Sequence, residues 1–241
     1  MKISVVVPAY NEEKLIAASL RSIQAALPAF TRLGWETEII VCDNNSSDRT
    51  ADLARTGGAR VVSEPVNQIS RARNTGAAAA EGDWLIFIDA DSYPSVELFG
   101  DIAAKIQTGG CIGGGATVRL DEAEFWGRVL MRFWNGISRA RRWMAGSCIF
   151  CEAAAFRQLG GFSVELFASE EIDFSQRLKR LARQTHRRVI ILDRHSLVTS
   201  ARKMRLYSRG EYIRFLAHTV LTGGRTLRKR SACVPWYDGR R

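Results

Sequence analysis

The chain has 241 residues, 46% of them hydrophobic, and a formal net charge of +10. That length and apolar share support a folded domain with a sizeable core and exclude a low-complexity or disordered chain. No run approaches the roughly 20 apolar residues that cross a bilayer, and Met1 to Val7 reads as the start of a strand rather than as a signal peptide.

The elements follow in chain order. Ile3-Ser4-Val5-Val6-Val7 is a β-branched run closed by Pro8, the pattern of a buried strand with a sharp stop. Glu12 to Leu27 has helical spacing, with Leu15, Ile16, Leu20, Ile23 and Leu27 on one face. Glu38 to Cys42 is a second buried strand, and Ser47 or Asp48 caps a helix through Leu53 and Ala54. Arg60 to Ser63 is a third strand, Ser70 to Ala80 an alanine-rich helix ended by Gly82, and Trp84 to Ile88 a fourth strand. Continuous apolar strands alternating with helices predict an α/β fold: a Rossmann-like, mostly parallel sheet with helices on both faces. In such sheets ligands gather at the carboxyl ends of the strands. Pro8 to Glu12, Asp43 and Asp89-Ala90-Asp91 all fall at such ends.

The second half is less regular. Gly109, Gly110 and Gly113 to Gly115 predict a bend around a short strand. Phe125 to Trp143 is a basic amphipathic helix. Trp126, Leu130, Phe133, Trp134 and Ile137 follow helical spacing, with Arg128, Arg132, Arg139, Arg141 and Arg142 between them. Aromatics so spaced are core residues as a rule, but the interleaved arginines also suit a membrane interface. Gly160-Gly161-Phe162 reads as a turn, Ile172 to Ala182 as a helix, Val189 to Leu192 as a strand, and Glu211 to Leu221 as an apolar-faced helix.

The charge is uneven. Residues 176–241 carry 18 Lys and Arg against 3 Asp and Glu, while the first 175 residues are net acidic. A basic last third predicts attraction to an anionic surface, set apart from the acidic crevice. The five cysteines are an odd number and predict free thiols in a reducing cytosol. Cys148 and Cys151 have redox or metal spacing but only apolar neighbours and no second pair, so they read as core packing.

Asp89 and Asp91, one residue apart at a strand end, can hold a divalent cation against a diphosphate. Such a pair can equally cap a turn. Tyr10 can lie against a nucleobase or pack in the core. Asp43 can accept base or ribose hydrogen bonds or cap the Asn44-Asn45-Ser46 turn. Glu170-Glu171-x-Asp173 can supply a general base, or complement a helix dipole.

Four segments settle how these alternatives combine: VVVPAYNEE (5–13), IIVCDNNSSDRT (39–50), ISRARNTGAAAAEGDWLIFIDADS (69–92) and GGFSVELFASEEIDFSQRL (160–178). In this order and spacing the chain resembles the family-2 glycosyltransferases with a GT-A-type fold. The resemblance implies a mixed, mostly parallel GT-A sheet, a UDP- or GDP-sugar donor, Mg²⁺ or Mn²⁺, and inversion at the anomeric carbon. Pro8, Ala9, Tyr10 and Glu12 match the loop that contacts base and ribose, Asp43 the carboxylate that reads the nucleoside, and Arg73 a basic residue near the donor. Asp89, Ala90 and Asp91 match the metal motif, with Asp91 the direct ligand. Glu171 matches the catalytic base, one methylene longer than the family's usual aspartate, with Glu170 and Asp173 crowding it. Many relatives add a metal-binding histidine near the end of the domain. Here Val198 to Arg202 has none, and His195 lies just upstream, as a ligand or as a structural hydrogen-bonding residue.

The expected organisation is a single glycosyltransferase domain over 1–241. It has a nucleotide-binding half to about residue 110, an acceptor half over about 111–200, and a basic extension beyond. The expected acceptor is lipid-linked or membrane-proximal, reached from the cytoplasmic side by a protein peripheral to the inner face of the membrane. Nucleotidyl transfer is the alternative chemistry, but it calls for a basic glycine-rich loop where Pro8-Ala9-Tyr10-Asn11-Glu12 is acidic. A nucleic-acid-binding module rests on charge alone and lacks a motif.

Overall fold

The computed structural model describes residues 1–122 and 125–202, then 206, 210, 211, 214, 218, 222, 225–233 and 237. The expected helix over Glu211–Leu221 lies largely outside the described residues.

The first half alternates as the apolar runs dictate. Strands β1 (Lys2–Ala9), β2 (Glu36–Asp43), β3 (Arg60–Ser63) and β4 (Trp84–Ile88) are joined by helices α1 (Ile16–Ala26), α2 (Pro28–Thr31), α3 (Thr50–Thr56) and α4 (Ile69–Ala78). A two-residue strand β5 (Ser92–Tyr93) and helix α5 (Val96–Gln107) follow. The second half supplies β6 (Cys111–Leu120), α6 (Phe125–Arg141), β7 (Cys148–Glu152), α7 (Ala153–Gln158), α8 (Glu170–Gln184) and β8 (Arg188–Thr199). The eight strands form one mixed sheet in the order β3-β2-β1-β4-β7-β6-β8-β5. β1 to β4 pair in parallel; β7 runs antiparallel to both β4 and β6, and β8 pairs parallel to β6.

Alternation along each buried strand feeds two cores. Val5, Val7, Val41, Ile86 and Phe150 pack on one face with Leu20, Ile23, Phe99 and Ile102 of α1 and α5. Val6, Phe87, Ile149 and Cys151 pack on the other with Ala77, Phe156, Phe174 and Leu178 of α4, α7 and α8. The period of two in a strand produces this division.

Three expectations are corrected. β1 runs through Pro8 to Ala9, because the ladder to β4 ends at Val6, so the missing N–H of Pro8 is not needed on that side. Gly113, Gly114 and Gly115 do not bend the chain; they sit inside the ten-residue β6. A Cβ on Gly114 would lie 2.2 Å from the Ile190 carbonyl, and one on Gly113 2.6 Å from that of Phe150. Glycine is there because neighbouring backbones approach too closely for a side chain. The apolar face of α6 is not core: Phe125, Trp126 and Phe133 are 67%, 56% and 68% exposed.

All five cysteines are free and buried, as their apolar neighbours imply, and burial pushes the Cys148 thiol up to about 12. Among the described residues no helix is long and apolar enough to cross a membrane.

Candidate active site

The carboxyl ends of β1, β2 and β4 open on one crevice. Pro8, Ala9, Tyr10 and Glu12 line it from the β1 end, Asp89, Ala90 and Asp91 from the β4 end, and Asn44, Asn67, Ile69 and Ala72 from the side. Asp43 ends β2 opposite Ala9, and its Oδ1 is buried without a hydrogen-bond partner. A buried, unmatched carboxylate oxygen beside a crevice is an acceptor awaiting a donor group.

Local chemistry shapes the rims. Asn11 and Asn45 adopt left-handed backbone (φ 50° and 66°), which Asn tolerates better than most residues. Thr50 Oγ accepts from the Glu12 amide at 2.7 Å, and Asp48 Oδ1 accepts from the Thr50 amide at 2.9 Å. Asp48 thus ties the start of α3 to the β1 loop; Ser47 does not cap this helix. Asn44, which the sequence did not single out, bridges three backbones. Its amide donates to the Glu64 and Val66 carbonyls, and its Oδ1 accepts from the Gln68 amide.

Asp91 is buried at 4% exposure, and its backbone carbonyl accepts from the Ser200 amide at 2.9 Å. Arg202 comes from just beyond β8. Its Nη2 donates to both oxygens of Glu12, at 2.6 and 2.8 Å, and lies 4.0 Å from Asp91 Oδ2. The sequence leaves Arg202 either to clamp a phosphate or to be solvated at the surface; it binds Glu12 on the rim of the crevice, and Tyr237 from the same basic last part lines it. His195 is elsewhere: its Nδ1 pairs with Asp101 of α5 at 2.9 Å.

A second cluster adjoins the first. Arg73 of α4 is 1% exposed. Its Nη1 donates to Glu170 Oε1 at 2.6 Å, and its Nη2 to Asp89 Oδ1 at 3.0 Å and to the Gly146 carbonyl at 2.9 Å. One planar fork therefore joins Asp89, just past β4, to the start of α8. Ser169, just before α8, is held at φ 61°, an uncommon conformation for serine that sets the direction of the two glutamates behind it. Burial, then the charge of Glu170, pushes the Glu171 carboxyl up to about 8. Glu170 is raised by burial too, against the pull of Arg73. Asp173 is not part of this group. Arg177 donates to it at 2.8 Å and also binds the Leu159 and Gly161 carbonyls, so the pair braces the glycine turn before α8.

The donor set suits a hard divalent cation. Among the described residues no three His, Cys, Asp or Glu side chains gather as a metal cage. Mg²⁺ and Mn²⁺ that bind with a diphosphate need only one or two protein carboxylates, a number that Asp91 and Asp89 could supply.

The glycosyl transferase family 2 profile matches residues 4–159. The chain belongs to this family. It is 34% identical over 113 residues to the poly(ribitol-phosphate) beta-N-acetylglucosaminyltransferase TarS of Staphylococcus aureus, covering 44% of this chain and 19% of that protein. It is 31% identical over 169 residues to the undecaprenyl-phosphate 4-deoxy-4-formamido-L-arabinose transferase of Edwardsiella ictaluri, covering 64% of this chain and 49% of that one. The chain thus spans half or less of these relatives. Among solved structures, a Pyrobaculum calidifontis mannosyltransferase in complex with GDP-Man and Mn²⁺ matches with a TM-score of 0.69 at 19% identity, covering 98% of this chain and 67% of that one. TarS residues 1–349 in complex with UDP-GlcNAc match at 0.64 and 19%, covering 93% and 66%. These likenesses establish the GT-A-type fold.

Proposed function

We propose that this family-2 protein is an inverting, metal-dependent glycosyltransferase that moves a sugar from a nucleoside-diphosphate donor to an acceptor hydroxyl. What supports it most is the Arg73 fork, which joins Asp89 of the donor crevice to Glu170, the neighbour of Glu171, on one guanidinium. The acidic groups from distant parts of the chain meet in one place, as the reaction requires.

The nucleoside lies between Tyr10 and the Asn67–Ala72 wall, with Asp43 accepting from base or ribose. Asp91, with Asp89, carries the Mg²⁺ or Mn²⁺. Held there, such an ion would supply the positive charge that makes the diphosphate a good leaving group, so no general acid is needed. Glu171 accepts the proton of the acceptor hydroxyl, whose oxygen attacks the anomeric carbon from the face opposite the diphosphate and inverts it. A carboxyl raised to about 8 is well matched to that proton near neutral pH. Arg73 holds Glu170 and Asp89 in register, so that Glu170 stays beside Glu171. Asp173 braces the loop through Arg177, and His195 pairs with Asp101 rather than joining the metal site.

The acceptor we assign is lipid-linked and presented at the cytoplasmic face of a membrane. An undecaprenyl-phosphate enzyme stands among the relatives in support of that class. The protein acts as one catalytic unit over residues 1–241, with Arg202 and Tyr237 of its basic last part contributing to the crevice.

Release of free sugar from a panel of UDP- and GDP-sugars, with and without Mn²⁺, tests the reading. Metal-dependent hydrolysis of one donor supports it. Nucleotide binding with no donor hydrolysed, and pyrophosphate released from a nucleoside triphosphate instead, replaces it with nucleotidyl transfer.

A further inference from the structure

The sequence of α6 holds no acidic residue, and its apolar side chains divide in two: Met131, Trp134 and Ile137 are half-buried, while five others are exposed. Phe125, Val129 and Phe133 stand four residues apart on one stripe, with Trp126 and Leu130 beside them. Their exposures run from 39% to 68%, and these five are most of the large hydrophobic side chains exposed among the described residues. The covered side of the helix carries Met131 and Trp134 between two small residues. Gly127 and Ser138 are buried, and Asn135 exchanges hydrogen bonds with the Val118 amide and carbonyl at 3.0 and 2.8 Å. Anchoring by an asparagine leaves the aromatic stripe pointing away from the protein. Arg128, Arg132 and Arg139 share a second stripe along its border.

At the carboxyl end of α6 further cations gather. Lys179 Nζ donates to the Arg141 carbonyl at 2.8 Å, and Arg141, Arg142 and Arg183 lie near enough to Lys179 to help lower its pKa, after burial. Cations crowded together beside an exposed aromatic ridge call for an anionic partner that also takes up apolar side chains. A second copy of the chain does not meet that need, because pairing through this face would set arginines against arginines.

We propose that α6 is a docking helix that lies in the interface of an anionic bilayer, with its aromatic stripe at the acyl boundary and its arginines among the headgroups. The segment after α6 leads directly to the chemistry. Trp143 donates its amide to the Ser138 carbonyl, the Met144 amide donates to Ser175 Oγ, and the Gly146 carbonyl holds Arg73. A Cβ on Gly146 would sit 3.7 Å from Glu171 Cδ. Four residues lie between Arg141 and Gly146, so the docked helix end is no more than about 18 Å along the chain from Gly146, which adjoins the base. That reach suits a sugar acceptor carried on a lipid. This last link rests on the glycosyl-transfer reading; the membrane contact itself stands on α6 alone.

Flotation of the full chain with vesicles of phosphatidylcholine, and of phosphatidylcholine with 30% phosphatidylglycerol, tests the proposal. The intact protein floats with the anionic vesicles and much less with the neutral ones. Trp126→Ser with Phe133→Ser cuts the bound fraction at least about tenfold, since two large apolar side chains leave the boundary. Arg128→Glu with Arg132→Glu removes the preference for the anionic lipid. Both double variants keep wild-type thermal melts and wild-type nucleotide-sugar hydrolysis, which separates a failure of docking from a failure of the transferase reading. A wild-type protein that stays in solution with anionic vesicles at low salt overturns the proposal. So does a dimer, seen by light scattering, that the serine variants dissociate, because the face then belongs to a second copy.

Discussion

Arg73 and Glu170 form an ion pair at 2.6 Å in which the arginine is 1% exposed and the glutamate 3%. Neither charge can be removed alone without stranding the other. Arg73→Ala leaves Glu170 buried and uncompensated, and loss of one partner of such a pair costs about 3–5 kcal/mol. Urea unfolding of wild type and variant measures it. Arg73→Lys recovers little of the loss, because one ammonium cannot reach Glu170, Asp89 and the Gly146 carbonyl in a single plane. A lysine variant as stable as wild type contradicts the fork.

Glu171 makes a pH-dependent prediction with two readouts. The base works ionised, so turnover rises with pH and levels off above about 8. Stability moves the other way. Between 4.5, the ordinary carboxyl value, and about 8, the native state keeps a proton that the unfolded chain has released, so unfolding free energy falls as pH rises across that window. Glu171→Gln binds donor normally, lowers turnover by about 10²- to 10⁴-fold and flattens that stability slope. Normal turnover by Glu171→Gln places the base on another residue.

Asp91→Asn preserves the shape of the β4 turn and removes the charge proposed to hold the ion against the diphosphate. In wild type, UDP or GDP with Mn²⁺ at 100 times its dissociation constant adds about 2.7 kcal/mol of stability, read as a thermal shift. The variant loses the metal-dependent part of that shift and keeps the part due to nucleotide alone. An unchanged Mn²⁺ increment means that the ion is held elsewhere.

The parts of this protein that were legible in its sequence are those governed by local pattern. Trp84–Ile88 is the strand its apolar run predicts, because a strand covered on both faces must be apolar throughout, and Arg60–Ser63 is the predicted strand at the partly exposed sheet edge. Asp91 and Glu12 were legible for the same reason: a strand end fixes where the next residues point. Contacts between distant segments were not. Arg202 follows Glu12 by 190 residues, and no periodicity signals their pair. Asn44 was hidden by its neighbours, since a turn-like Asn-Asn-Ser gives no sign that one amide will bridge three backbones. In α6 the spacing of the aromatics gave the helix but not which side would be covered. That was decided by Asn135 and Gly127 on the opposite side, whose size and polarity fit them to β6.

The glycine run in β6 was misread for a reason that can be tested. Glycine signals a bend when it supplies unusual backbone angles, and it signals close approach when a neighbour occupies the space of a Cβ. Gly113, Gly114 and Gly115 are of the second kind, since none has a positive φ. Gly114→Ala would place its methyl 2.2 Å from the Ile190 carbonyl, a backbone atom that can move only by displacing β8 from β6. The expected cost is at least about 1–3 kcal/mol, the range for overpacking a rigid site. Gly136→Ala on α6, where a Cβ meets nothing within 4 Å, should instead be neutral or stabilising by about 1 kcal/mol, as expected for Gly to Ala in a helix. Thermal melts of the two variants side by side decide the matter, and equal melting temperatures would show that β6 and β8 are not packed as closely as their register requires.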